Sequence, residues 1–123
     1  MKNLLWIFLF LLTVSFSCED SENIMTNQDL IELEREIIAL SESVACTNSA
    51  EWKFTPMGSK ACGGPIRYIA FHQSVEREFL ALVDRFTVEQ QAFNQRNNVV
   101  SDCMLIAAPR TVTCEGGKAV LVN

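Results

Sequence analysis

The chain has 123 residues, of which 49% are hydrophobic and 20% are charged, and its formal net charge is −5 at pH 7. No basic stripe with interleaved aromatic residues is present to neutralise phosphates, so we expect no nucleic-acid partner. The sequence also has neither a phosphate-binding P-loop nor a dinucleotide-binding glycine turn, and we expect no cofactor.

The N-terminus has the pattern of a signal peptide. Lys2 supplies the positive charge, and residues 4–12 form an unbroken apolar run. This run is much shorter than the ~20 residues that span a bilayer core. Because the small residues Ser15 and Ser17 lie three and one positions before Cys18, we predict that residues 1–17 are removed by cleavage in front of Cys18.

Ser17-Cys18 resembles the end of the lipobox of bacterial lipoproteins, in which the cysteine becomes lipidated. Ser15 and Phe16 replace the usual leucine and small residue, so soluble secretion after cleavage at the same bond remains the alternative. The five cysteines favour lipidation, since modifying Cys18 leaves an even number for pairing. The resemblance implies a lipid with fatty acids such as palmitate on Cys18 and a bilayer as the first partner.

Residues 18–26 follow as an acidic tether. Glu19, Asp20 and Glu22 have nothing apolar around them to bury, which is the composition of a spacer. An acidic cluster directly after the cysteine resembles the surface-export signal of lipoproteins in the Bacteroidota. This resemblance implies the outer membrane, with display at the cell surface.

Residues 27–123 form a single domain by length, stabilised by four cysteines: Cys46, Cys62, Cys103 and Cys114. In an oxidising compartment they are expected to form two disulfides, each contributing ~2–4 kcal/mol. A zinc site is the alternative, but there is no C-x-x-C pair and His72 is the only histidine, so we expect no metal. We predict the pairs Cys46–Cys62 and Cys103–Cys114, because pairing across the second helix would require the chain to return along ~30 Å of it.

Two helices are predicted from apolar spacing. The first covers residues 27–43 and is capped by Thr26 or Asn27; its apolar face is Leu30, Leu33, Ile37, Leu40 and Val44. The second begins at a Ser74 cap and ends in a left-handed turn at Asn97-Asn98. Its apolar face is formed by Val75, Phe79, Leu82, Phe86 and Phe93.

The rest of the domain is predicted to be strands and loops. Residues 110–114 and 118–122 alternate around Gly116-Gly117, which indicates a hairpin. Residues 52–55 form a short strand that Pro56 ends, and residues 66–71 are compatible with a strand or a short helix. The predicted fold class is α+β, with two helices packed on a small antiparallel sheet and stapled by two disulfides.

The stretch GSKACGGPIRY from Gly58 to Tyr68 is the most distinctive in the chain. With the surrounding cysteines, it resembles a group of small bacterial lipoproteins that share a G-x-K-x-C-G-G-P core, and this resemblance implies no activity. A plain turn docked on a disulfide is one interpretation. The other is a rigid binding loop with Lys60 or Arg67 protruding; its candidate residues are Lys60, Gly63, Gly64, Pro65, Arg67 and Tyr68.

We predict no catalytic residues. His72 is the only imidazole, and a histidine just before a helix is more typical of a cap or a surface residue than of a base. The leading hypothesis is a non-enzymatic binding module that contacts an envelope protein or glycan, an inhibitor of a hydrolase being one form of it. The alternative is a structural lipoprotein whose acidic first helix docks on an outer-membrane assembly.

Overall fold

A computed structural model of the protein describes residues 24–123, so the predicted signal peptide, Cys18 and most of the tether lie outside the described residues. The elements are α1 (Asn27–Ser41), β1 (Trp52–Met57), β2 (Arg67–His72), α2 (Glu76–Arg96), β3 (Thr111–Glu115) and β4 (Lys118–Val122). Single 3-10 turns precede β1 and α2. The α+β class with two disulfides is confirmed. Between residues 24 and 123, no helix is long and apolar enough to cross a membrane.

Helix α1 begins with a capping box. The Thr26 hydroxyl accepts the Asp29 N–H at 3.2 Å, and the Asp29 carboxylate accepts the Thr26 N–H at 2.7 Å, which satisfies two otherwise orphaned donors. The hydrogen bond from the Thr26 N–H, and next the one that the Thr26 hydroxyl donates to Asp29 Oδ2 at 2.7 Å, lower the pKa of Asp29. The helix ends at Ser41, two residues before the predicted end, and the Ser43 amide bonds to the Leu40 carbonyl three residues back, which tightens the last turn instead of continuing the α-helical pattern.

Helix α2 begins differently from the prediction. Its N-cap is Val75, which makes no side-chain cap bond, so the predicted Ser74 cap is wrong. Instead His72 caps the preceding 3-10 turn by accepting the Ser74 N–H at 3.2 Å. Acidic residues in the first turn of α2 compensate part of the unsatisfied helix dipole. At the other end Asn98 has φ +49°, which confirms the left-handed turn.

The four strands form two separate two-stranded antiparallel sheets. β1 pairs with β2 from Trp52 opposite His72 to Met57 opposite Arg67. Of the two alternatives for residues 66–71, the strand is therefore the correct one, and it covers Arg67–His72. Contrary to the prediction, Pro56 does not end β1 but lies within it. A proline is tolerated there because β1 has a partner strand on one side only. The Gly116-Gly117 hairpin of β3 and β4 is confirmed.

The β1–β2 sheet separates two hydrophobic clusters. The main core lies between this sheet and both helices: Leu30, Leu33, Ile37, Met57, Ile69, Phe71, Phe79, Val83 and Phe86. A smaller cluster joins the sheet to the β3–β4 hairpin: Cys46, Trp52, Ala70 and Val112. The alternation along β2 produces this division, since Ile69 and Phe71 belong to the main core while Ala70 belongs to the smaller cluster.

The disulfides join Cys46 to Cys114 and Cys62 to Cys103, so the predicted local pairing is wrong. The reason is the direction of β1, which starts beside the N-terminus of α2 and carries the chain toward its C-terminus. The loop containing Cys62 therefore contacts Asn94 and Ser101, and Cys103 reaches it without any return along α2. The segment after Cys103 makes the return instead and brings Cys114 to Cys46.

Candidate functional site

The glycine loop between β1 and β2 is a tight turn. Gly63 and Gly64 have φ +98° and +81°, and the Lys60 N–H donates to the Gly64 carbonyl at 2.9 Å. The Gly63 N–H donates back to the Lys60 carbonyl at 2.9 Å. Residues 61–64 are exposed and Pro65 is half-buried. The turn that tolerates unusual φ angles is thus present, and its tip faces solvent.

The binding-loop interpretation has Lys60 or Arg67 protruding, but Lys60 does not protrude from this loop. Its side chain is only 12% exposed, and Nζ donates to Asp102 Oδ1 at 2.7 Å and to the Met104 carbonyl at 2.8 Å. The segment after α2 crosses over the loop near the Cys62–Cys103 disulfide and supplies these acceptors. The hydrogen bond from Lys60, and next the one from the Met104 N–H, lower the pKa of Asp102.

Arg67 and Tyr68 lie away from the loop tip, on β2. Arg67 Nη2 donates to Glu34 Oε1 of α1 at 2.7 Å, so this side chain also makes an internal contact. The Tyr68 ring meets Phe54 edge-on, with centroids 6.2 Å apart. The six candidate residues therefore divide: Lys60, Gly63, Gly64 and Pro65 lie in the loop, whereas Arg67 and Tyr68 line a cleft on another side of the molecule.

This cleft has a volume of about 700 Å³. Its floor is β2, one wall is the end of α1 with the segment after it, and the other wall is the β3–β4 turn with β4. The lining combines apolar and polar side chains: Ile38, Ser41, Glu42, Ser43, Val44, Ala45, Trp52, Arg67, Tyr68, Ile69, Ala70, Gly116, Gly117, Lys118, Ala119 and Leu121. An apolar lining with a few polar groups is typical of a binding site.

An unpaired strand edge borders the cleft. Among residues 24–123, β2 pairs with β1 only. In an antiparallel pair, residues bonded to the partner strand alternate with residues whose peptide groups point outward. Ala70 points outward, because its carbonyl accepts the Ser41 hydroxyl at 2.6 Å, and by this alternation Tyr68 does so too. The cleft therefore offers backbone donors and acceptors as well as side chains.

Unsatisfied donors belong to two of the residues that line the cleft. Within the described part of the chain, buried atoms without a hydrogen-bond partner include Trp52 Nε1 and Arg67 Nε. Both residues line the cleft. A buried donor without a partner costs about 1–3 kcal/mol, so a ligand that reached these atoms would gain from satisfying them.

No known protein family, curated protein or solved structure matches the chain. The geometry of its own residues therefore carries the functional interpretation.

Ser74, His72 and Glu51 form a hydroxyl–imidazole–carboxylate row. His72 Nδ1 is 2.7 Å from the Ser74 hydroxyl, and Nε2 is 3.3 Å from Glu51 Oε2. A hydrolytic site also needs a concave space and oxyanion donors, and none of these three residues lines the cleft. Because His72 Nδ1 also accepts the Ser74 backbone N–H, this row accounts for the 3-10 turn before α2. The expected capping role of His72 is confirmed.

Sequence reasoning missed most of the cleft. Its lining comes from four separated parts of the chain, and only Arg67 and Tyr68 were among the predicted site residues. A local signal did exist for the hairpin wall, since the Gly116-Gly117 turn was predicted. No local pattern showed that this turn would face the end of α1.

Proposed function

We propose that this chain is a lipid-anchored, non-enzymatic binding module of the bacterial outer membrane, and that it holds an extended segment of an envelope protein along β2. The unpaired edge of β2 beside the cleft carries the proposal. An added strand gains affinity from main-chain hydrogen bonds, while a neighbouring pocket selects side chains. Strand addition favours a protein partner over a glycan. If the bound segment belongs to a hydrolase, holding it along β2 would inhibit that enzyme.

The charges around the cleft indicate which kind of segment it would bind. Glu42 and Lys118 are exposed on opposite walls, and Arg67 is already paired with Glu34. Neither sign of charge dominates, so we expect a mainly apolar segment with few charges. The cleft walls are also braced by the Cys46–Cys114 disulfide, which limits the ordering cost of binding.

Site-specific crosslinking tests this proposal. A photoreactive phenylalanine analogue replaces Tyr68 in intact cells, and a matched probe replaces Gln91, which is exposed on α2. We expect one envelope protein to crosslink from position 68 and not from position 91. Peptide mapping of the adduct should place the crosslink in an extended segment of that protein. Equal capture from both positions would count against the cleft.

A pair of variants separates this function from docking through the acidic helix. Tyr68→Ala should weaken capture, whereas Glu32→Lys combined with Glu36→Lys should leave it unchanged. Both glutamates are exposed, and Glu34 is left intact because Arg67 holds it. The opposite result, in which only the charge reversal abolishes capture, would establish the structural alternative.

The anchor has a test of its own. Because lipidation needs the thiol of Cys18, Cys18→Ala should move the protein from the membrane fraction to the soluble fraction. The same change should abolish fatty-acid labelling. Wild-type protein that carries no label, and fractionates like Cys18→Ala, would refute lipidation.

A further inference from the structure

The segment after α2 exposes large apolar side chains to solvent. Val100 is 91% exposed, Leu105 90% and Met104 75%, with Val99 and Ile106 partly exposed beside them. A cluster of exposed apolar residues on a small domain typically marks an interaction surface. We call Val99, Val100, Met104, Leu105 and Ile106 the apolar segment.

This segment is held in place rather than left free. The Cys62–Cys103 disulfide attaches it to the glycine loop. Lys60 Nζ binds both the Met104 carbonyl and the carboxylate of Asp102, and the Val99 N–H donates to the Asn94 carbonyl at 3.0 Å. Because these contacts order the backbone in advance, the apolar side chains can be buried by a partner at little entropic cost.

The chain enters the domain at the same end of the molecule. Arg96 at the end of α2 donates to the Met25 carbonyl at 3.4 Å. Val99 lines a small cleft together with Asn27 and Ile31 of the first turns of α1. Ile24 follows Cys18 by 6 residues, which span at most about 20 Å. A lipid on Cys18 would thus keep the apolar segment close to the bilayer surface.

We propose that the apolar segment is a membrane-docking surface, with Val100, Met104 and Leu105 inserting into the interface of the leaflet that holds the lipid of Cys18. This inference rests on the proposed lipid anchor. The ion pair of Lys60 with Asp102 leaves the segment without net charge to desolvate. Arg96 and Arg110, both exposed, flank it along the chain and suit anionic headgroups.

The docked orientation would turn the cleft away from the membrane. The first turn of α1 lies beside the apolar segment, and its last turn lines the cleft. Over 15 residues the helix is about 22 Å long. Docking would therefore hold the β2 edge toward the aqueous side, where an envelope protein could reach it.

Tryptophan quenching by brominated phospholipids tests the insertion. After signal-peptide removal Trp52 is the only tryptophan, and it is buried away from the apolar segment. Leu105→Trp and, as a matched control, Leu80→Trp at the opposite part of α2 are purified as full lipidated proteins. Both are reconstituted in phosphatidylethanolamine–phosphatidylglycerol vesicles. We expect several-fold stronger quenching for Leu105→Trp than for Leu80→Trp.

The possible outcomes separate the two proposals. Equal quenching of the two variants, with a lipid mass confirmed on Cys18, overturns the docking surface and leaves the anchor standing. Absence of that lipid mass overturns the anchor and the docking surface together. If the unlipidated Cys18→Ala chain sediments as a dimer that Leu105→Asp dissociates, the apolar segment binds a second copy, and the docking proposal is wrong.

Discussion

Each end of this domain contains one disulfide, but the surroundings of the two bonds differ. The cleft end is the end with the last turn of α1 and the cleft, and the tether end is the end with the first turn of α1, where the chain enters the domain. At the cleft end, Cys46 is 3% exposed and belongs to the smaller hydrophobic cluster with Trp52. At the tether end, Cys62 and Cys103 are both exposed, and their bond joins two surface loops. The first disulfide is part of a packed interior, and the second orders a surface. The first bond thus stabilises a packed interior, and the second holds an exposed surface segment in position.

The polar contacts follow the same division. At the cleft end, the Ser41 hydroxyl satisfies the Ala70 carbonyl and leaves the rest of the β2 edge open. At the tether end, Lys60 binds two acceptors of the segment after α2 and closes the space between the loops. The open edge suits a partner that brings its own backbone, whereas the closed loops suit a flat surface such as a bilayer.

Removing the Cys46–Cys114 disulfide should lower the free energy of unfolding more than any other change proposed below. Cys46→Ala with Cys114→Ala opens a link across 68 residues, and chain entropy alone predicts a loss of at most about 4.4 kcal/mol in the free energy of unfolding, since the Cys62–Cys103 bond inside this loop shortens it. Packing lost around the buried Cys46 adds to this. Urea unfolding followed by circular dichroism measures the loss, and Trp52 fluorescence should report a disturbed cluster.

The tether-end pair is the matched control. Cys62→Ala with Cys103→Ala opens a link across 41 residues, for which the same relation gives at most about 3.9 kcal/mol, since the Cys46–Cys114 bond already restricts the unfolded chain. Since both cysteines are exposed, little packing is lost, and Trp52 fluorescence should stay native. A larger loss for this pair than for Cys46 and Cys114 would contradict the distinction between a packed and a presenting disulfide.

Two glycines of the G-x-K-x-C-G-G-P stretch should respond unequally to alanine. Gly58 has φ +78°, and a Cβ there would overlap the Ile66 side chain; Gly63 has φ +98° with open space around it. Gly63→Ala should cost about 1–2 kcal/mol, the conformational penalty alone. Gly58→Ala should cost at least about 1 kcal/mol more, because overpacking is added. Equal values from urea unfolding would show that Ile66 yields freely.

Local patterns in the sequence predicted the elements well. Spacing of leucines, isoleucines and phenylalanines was enough for both helices, and Gly116-Gly117 was enough for the hairpin, because each depends on neighbours in the chain. The predictions that Pro56 ends β1 and that Ser74 caps α2 were wrong. The position of β1 at a sheet edge and the 3-10 turn at His72 are set by the tertiary structure, which local patterns do not show.

Contacts between distant residues could not be predicted in this way. Lys60 and Asp102 are 42 residues apart, and nothing in either local sequence shows that they meet. The disulfide pairing failed for the same reason, because it depends on which end of α2 the Cys62 loop reaches. The cleft likewise depends on how the hairpin is placed against β2.

Acid titration of Asp102 should give the smallest effect and sharpens the picture of the tether end. The Lys60 hydrogen bond lowers the pKa of Asp102 below the ordinary value of 3.8, so the folded state favours the carboxylate. The resulting stability is present above pH 3.8 and is lost as pH falls through the lower, folded-state pKa.

The Met104 N–H donates to the same oxygen at 3.0 Å, so its amide resonance in an NMR titration reports the protonation locally. We expect a midpoint below 3.8 that disappears in Asp102→Asn, while the Asp29 amide titrates as in the wild type. A midpoint at or above 3.8 would mean that Lys60 does not hold Asp102 in solution, and the apolar segment would then lack this ion pair among its attachments.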